Sequence, residues 1–353
     1  MKAIFLIAVF LNLLNSEEIR RVSIYGEDDR MNYYEADSVS KALASSTVAL
    51  IKKSNLVRLN DSIYAVRNIT FGSRFNLHSS EKFLNEPSVA HCSGFLSSSN
   101  TAVTAAHCFN EIKCENTFIV FDYAVKREGE MPLQISAENV FECKKIIKSE
   151  IDESDNGKDF AVLELDRKTD RTPLAVSRNF NLKENDSVFV IGYPSGLPVK
   201  ITRMGSSKIR KINSNTFFTD LDTFRGNSGS PVFDEKTLKV VGIIKRGDRD
   251  FVYSSDNSSV YDPKYPQLYE PGSSYRVGQN DGFGEICVKT SVFASFLPQN
   301  DLERFLNSNP GAVRRTDERN GVRPAVYNPW TDSPQVVPAV YHPAPKPNPV
   351  IEI

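Results

Sequence analysis

The chain has 353 residues, 43 basic and 44 acidic, for a formal charge of −1, and 40% of it is hydrophobic and 25% charged. That balance supplies no field for nucleic acid or an anionic membrane surface, and it excludes a chain too polar to bury a core. The length allows one large core or two smaller ones.

Met1-Lys2 followed by the apolar run Ala3 to Leu14 reads as a secretory signal over residues 1–16, too short to span a bilayer. Ser16 is a small residue before the cut, although Leu14 is not the usual small partner. No cysteine lies near, which excludes lipid attachment at a new N-terminal cysteine. Residues 17–45 are polar and read as a leader or propeptide, or as an arm that stays packed on the domain. Within them a helix is predicted from Asp37 to Ala44, capped by Asp37 or Ser38.

From Ser46 to about Val288 the text is strand-like. Predicted strands are Thr47 to Ile51, Ser62 to Asn68, Thr101 to Thr104, Thr117 to Asp122, Phe160 to Leu165, Ser187 to Gly192, Lys208 to Ile212, Phe217 to Asp220, Val232 to Phe233 and Lys239 to Lys245. They are short, rich in β-branched and aromatic residues, and broken by Gly, Pro, Asn and Ser, which favours an antiparallel sandwich or barrel over alternating β and α units. Asp248 to Asp281, with five tyrosines, reads as a long polar loop. A last apolar stretch, Gly284 to Phe296, precedes a helix from Asp301 to Asn307, capped by Asn300 or Asp301, which closes a domain over residues 46–308. Residues 309–353 are charged and then Pro-rich and read as a flexible tail. There is no internal repeat.

Two stretches carry chemistry. In Gly226-Asn227-Ser228-Gly229-Ser230-Pro231, glycines on both sides of a serine let the backbone turn sharply, leaving Oγ free while the N–H groups of Gly226 and Ser228 converge on one point, an oxyanion hole. Gly-Asn-Ser-Gly is also ordinary turn chemistry. The second stretch, Thr104-Ala105-Ala106-His107-Cys108, follows Cys92-Ser93-Gly94; a histidine that accepts a proton from a serine needs a fixed ring, and small residues behind it would hold it. The five cysteines, Cys92, Cys108, Cys114, Cys143 and Cys287, suit an oxidising compartment, and none of their spacings is a metal pattern.

Together these stretches resemble the trypsin/chymotrypsin-like serine peptidases over roughly Ser46 to Asn307. The resemblance implies an all-β fold of two packed antiparallel six-stranded barrels with a short C-terminal helix, and a cleft between them for an extended peptide. It implies a Cys92–Cys108 bridge beside the histidine. Cys114 with Cys143 is the next expected pair, though the sequence leaves the pairing of Cys114, Cys143 and Cys287 open.

Because this family runs His, Asp, Ser along the chain, the third member is sought between His107 and Ser228, and Asp159 in Lys158-Asp159-Phe160-Ala161-Val162-Leu163 resembles the family's acid before an apolar strand. Asp152, Asp155, Asp166 and Asp170 lie in polar runs or past the strand. The implied function is a secreted serine endopeptidase acting on protein or peptide substrates through an acyl-enzyme, with no metal or organic cofactor, no nucleic-acid partner and no membrane association once the signal is removed. A protease-like binding protein with an occluded cleft is the alternative, against which the intact triad residues argue. A quality-control protease with a peptide-binding module is disfavoured by the Pro-rich tail.

Asn227 and Ser230 depart from the commoner Asp and Gly around the nucleophile, and Gly-Asn-Ser-Gly-Ser-Pro looks like the bacterial branch that includes glutamyl endopeptidases. With Asn227 there is no carboxylate to pair with a freshly cut N-terminal amine. Asp222, Thr223 and Ile244 are the candidate substrate-pocket residues. Asp222 stands where trypsin-like members carry the acid for Lys or Arg, or else it caps a turn; Arg225, Lys245 and Arg246 pull toward an acidic P1 residue. Ile244 stands where the glutamyl-specific branch has a histidine, which weakens that reading. His91 is expected to be structural, and His78 and His342 exposed. Substrate, P1 preference, mature N-terminus and oligomeric state are not written in the sequence.

Overall fold

The computed structural model describes residues 23–203, 207–247, 249–253 and 270–309. The predicted signal, the start of the leader, the middle of the tyrosine-containing insertion, His342 and the Pro-rich tail lie outside them. No helix among the described residues is long and apolar enough to cross a membrane.

Six strands form a closed barrel: β1 (Thr47–Lys52), β2 (Ala90–Ser98), β3 (Thr101–Thr104), β4 (Thr117–Val120), β5 (Val140–Ile151) and β6 (Asp159–Leu165). They close in the order β5-β6-β3-β2-β1-β4, antiparallel throughout. Alternate residues such as Val48 and Leu50 of β1 and Ala161, Leu163 and Leu165 of β6 point inward and meet Ile119, Phe121 and Phe141 in one core.

The second sheet contains β7 (Val188–Gly192), β8 (Lys200–Thr202), β9 (Ile209–Ile212), β10 (Thr216–Thr219), β11 (Pro231–Asp234), β12 (Val240–Arg246) and β13 (Glu285–Lys289). Its order is β9-β10-β13-β12-β11-β7-β8, with Met31–Asn32 as an eighth strand at the edge. The sheet curls until a bridge between Ser187 and Lys208 brings the start of β7 onto the start of β9. The architecture is therefore the expected double barrel, with the second unit a curled half-barrel closed at one bridge. Helix α1 (Ser38–Ala44) is capped by the Asp37 carboxylate, which accepts from Ser40 N at 2.8 Å, and a short helix α2 covers Phe71–Phe75. Helix α3 (Asp301–Ser308) is capped by Asn300 and buries Leu302 and Leu306.

Two strands of the closed barrel were not expected. β5, at twelve residues the longest, carries two register shifts that break its apolar alternation, so Cys-Lys-Lys-Ile-Ile-Lys does not read as a strand. β2 contains Ser93, Gly94, Ser97 and Ser98, which read as turn text but are paired on both sides.

Residues 23–45, read from the sequence as a leader or propeptide or as a packed arm, are built into the domain. Ile24 and Tyr25 are buried and run parallel to Arg276–Val277, and Asn32 pairs with Lys200 of β8. Lys200 is fully buried, its Nζ donating to Glu86 at 2.5 Å, to Asn32 at 2.7 Å and to the Pro198 carbonyl at 3.2 Å. Burial pushes this ammonium down to about 8, with Glu86 pulling it back up. Such a pair stands only while both partners are present. Glu86→Ala is expected to cost about 3–5 kcal/mol in urea unfolding, and Lys200→Met in that background to return part of the loss; equal stabilities for the single and double variants would show that the ammonium is not the source.

Candidate active site

β3 ends at Thr104 and passes into a short 3-10 turn, Ala106–Phe109, that carries His107. The Cys92–Cys108 disulfide ties this turn to β2, with the two Cα atoms 6.1 Å apart. A second bridge joins Cys114 to Cys143, and Cys287 is a buried free thiol, its pKa raised by burial. Sγ atoms of Cys92 and Cys108 lie near the His107 ring, but they are bonded to each other and offer no thiolate to a metal.

Asp159 opens β6 and is 3% exposed. Its Oδ1 accepts from the backbone N–H of His107 at 3.1 Å, and its Oδ2 lies 2.6 Å from His107 Nδ1. With both oxygens on one residue the carboxylate cannot swing. A carboxylate only accepts, so Nδ1 carries the proton and Nε2 is left as an acceptor. Ser228 Oγ sits 2.8 Å from Nε2. Carboxylate, imidazole and hydroxyl, 52 and 121 residues apart from the histidine in the chain, thus form one line.

The loop between β10 and β11 holds Ser228 by its carbonyls. Ser93 N donates to Ser228 O at 2.9 Å, and Ser93 Oγ donates to Gly226 O at 2.7 Å. Among the described residues neither the Gly226 nor the Ser228 amide has an acceptor. Gly226 has φ +99°, and a Cβ there would come within 2.8 Å of Tyr193 O; at Gly229, φ +83°, one would come within 2.3 Å of Ser93 O. Both turns therefore require glycine. Ser93 is fully buried and also receives Tyr193 N at 2.9 Å. The sequence analysis passed over it; a hydroxyl set between Cys92 and Gly94 in a buried strand was the available signal.

A cavity of about 420 Å³ opens beside His107 and Ser228, with Thr223, Ile244, Lys245 and Asp250 among its walls. Of the three candidate pocket residues, Thr223 and Ile244 line this cavity and Asp222 does not. Thr223, Phe224 and Arg225 line the cavity one after another, whereas Asp222 is not among its walls. It is 3% exposed, accepting from Tyr25 N at 2.8 Å and from Asp29 N at 3.1 Å. Behind the same wall Arg30 is held by Asp28 through two hydrogen bonds of 2.8 Å and stacks 4.1 Å above the Phe224 ring.

The Asp29 carboxyl is buried beside Asp222. Burial, then the charge of Asp29, pushes Asp222 up to about 8. Burial likewise raises Asp29, to about 6, with Asp222 acting the other way. His91, beside Cys92, has both ring nitrogens buried without a partner among the described residues, and burial followed by the charges of Arg74 and Lys52 lowers it to about 4. It packs as a neutral ring. His78 is exposed and lies 2.8 Å from Ser80 Oγ.

Residues 92–243 match a family model described as "Trypsin-like peptidase domain". A glutamyl endopeptidase of Staphylococcus epidermidis is 35% identical over 97 residues, 28% of this chain and 33% of that protein. One of Staphylococcus aureus strain MW2 is 39% identical over 71 residues, 20% of this chain and 21% of that protein. The chain thus spans about a third or less of the curated relatives it matches. The solved VesB protease of Vibrio cholerae aligns at 15% identity and TM-score 0.42, over 78% of this chain and 66% of that one.

The acid pair behind the cavity has a consequence for stability. The folded protein keeps protons there that the unfolded chain releases near pH 4, so the pair's contribution falls as pH rises from about 4 through 6 toward 8. Asp29→Asn removes one of the two buried acids. It is expected to raise the thermal midpoint at pH 8, by a stabilisation on the order of 1–2 kcal/mol, and to change little at pH 5. A variant whose midpoint declines with pH as steeply as the parent's would place the titrating group elsewhere.

Proposed function

We propose that this chain, which belongs to the trypsin-like peptidase family, is a secreted serine endopeptidase. The observation that carries the reading is the unbroken line of 2.6 and 2.8 Å contacts from Asp159 through His107 to Ser228 beside an open cavity. In it His107 Nε2 takes the proton of Ser228 as Oγ attacks a peptide carbonyl, while Asp159 stabilises the imidazolium. The free N–H groups of Gly226 and Ser228 receive the oxyanion that forms, at a point where no other acceptor competes for them. His107 then returns the proton to the leaving amine, and water repeats the sequence on the acyl-enzyme.

The two disulfides support an oxidising, extracytoplasmic location. On the side-chain pocket, Arg225, Lys245 and Arg246 line the cavity together with Asp250 and Glu285, while Asp222 is spent on the backbone of Tyr25 and Asp29. The reading of a basic P1 residue through Asp222 therefore loses its carboxylate.

The test is covalent labelling. A fluorophosphonate is expected to add once to the folded protein and not to Ser228→Ala, and that substitution is expected to lower peptide hydrolysis at least ~10⁴-fold without shifting the unfolding midpoint by more than a degree or two. Intact mass reports the adduct. A folded parent that takes no label would be a binding protein built on this fold.

A further inference from the structure

The three residues assigned to the reaction come from both barrels, and a side chain outside the triad spans the gap. Lys245, in β12, is 2% exposed. Its Nζ donates to the carbonyls of Asp152 at 2.6 Å, Ser154 at 2.6 Å and Gly157 at 3.0 Å, which uses all three N–H groups of an ammonium. The three carbonyls belong to the turn between β5 and β6, closed by Asp152 N donating to Lys158 O at 2.7 Å, and the next residue is Asp159.

The neighbour of Lys245 holds the other end. Gly229 N donates to Ile244 O at 2.7 Å, and Ile244 N donates to Ser230 O at 3.0 Å, gripping the loop immediately after Ser228. Consecutive residues of one strand therefore fix the nucleophile loop and the root of the acid's turn. Arg246 pairs with Asp155, and Thr216 Oγ and Asn215 Nδ2 donate to the carbonyls of Asp155 and Asn156, but these bonds hold only the tip of the turn.

Burying an ammonium costs several kcal/mol, and Lys245 receives carbonyls in return rather than a hydrogen-bonded carboxylate. Burial pushes its pKa down; the charge acting most strongly the other way is Asp159, followed at lesser weight by Asp152 and Asp155, with Arg246 opposing. We propose that Lys245 is a positioning residue for the reaction: it sets the Asp159-to-Ser228 distance that the His107 ring must bridge, and its charge favours the Asp159 carboxylate and opposes the imidazolium. The proposal rests on the reading of His107, Asp159 and Ser228 given above.

It is tested by the pH dependence of fluorophosphonate labelling and of peptide hydrolysis in the parent, Lys245→Met and Asn215→Ala, with urea unfolding alongside. The other charged groups lining the cavity, Glu153, Arg225, Arg246, Asp250 and Glu285, are unchanged in both variants. Lys245→Met is expected to lower kcat roughly 10- to 100-fold with KM within about twofold, since misplacement by a fraction of an ångström acts on the reacting geometry. Its acid limb is expected to move to higher pH, because a cation that opposed the imidazolium is gone. Asn215→Ala, which removes a bond at the tip of the turn outside the cavity, is expected to move neither. Should Lys245→Met fail to fold, Lys245→Gln, which keeps donors and removes the charge, decides through the same acid limb. A folded Lys245 variant that labels at the parent's rate per folded molecule, with its acid limb unmoved, overturns the proposal while leaving the triad reading intact. A parent unlabelled at Ser228 overturns both.

Discussion

The structure turns on a seam between two barrels that has to be accurate to a few tenths of an ångström. His107 and Asp159 belong to the closed barrel, Ser228 to the curled sheet, and no covalent link near the site joins them. What joins them is Ser93. Its N–H and hydroxyl take the carbonyls of Ser228 and Gly226, and its carbonyl accepts Thr104 Oγ at 2.6 Å, in the strand that leads to His107. One small buried residue thus touches the chain on both sides of the imidazole. Because the loop is held by its carbonyls, its amides are left for a ligand. A larger side chain at Gly229 would drive into this contact, so the conformational freedom of glycine is spent on closeness as much as on turning.

The wall behind the cavity is a different kind of solution. Here Asp28, Asp29, Arg30, Asp222 and Asp250 gather in an interior with little access to water. All but Asp29 are compensated separately: Arg30 by Asp28 and by the face of Phe224, Asp222 by two backbone amides, Asp250 by the amide of Arg225 and the hydroxyl of Ser23. Burial raises Asp250 to about 6 even so. Polar groups satisfied this way fix one arrangement of the segment, since every alternative leaves a buried charge unpaired.

Much of this was legible because it is local. The β-branched runs Thr101 to Thr104 and Ser187 to Gly192, the glycines around Ser228 and the small residues before His107 each carry their meaning within a few positions. What escaped reading depends on partners far away or without identity. Lys245 binds three carbonyls, and every residue has a carbonyl, so no sequence pattern marks them. Asp222 stands at a suggestive distance from Ser228, but its direction is decided by amides 197 and 193 residues earlier in the chain. Residues 23–45 looked expendable because their few apolar side chains come singly and their charges look solvated. In β5, bulges rather than composition hid the strand.

The pairing of Ile24–Tyr25 with Arg276–Val277 sets an order of events during synthesis. The six strands of the closed barrel all lie within residues 47–165. The segment that backs the cavity leaves the ribosome before any of this, yet it must wait for partners some 250 residues later. Ile24 and Tyr25 are made before their partners and wait for them. A nascent chain therefore holds the strands that carry His107 and Asp159 long before it can have a finished pocket, and the cleft is completed only when nearly the whole domain is free to fold.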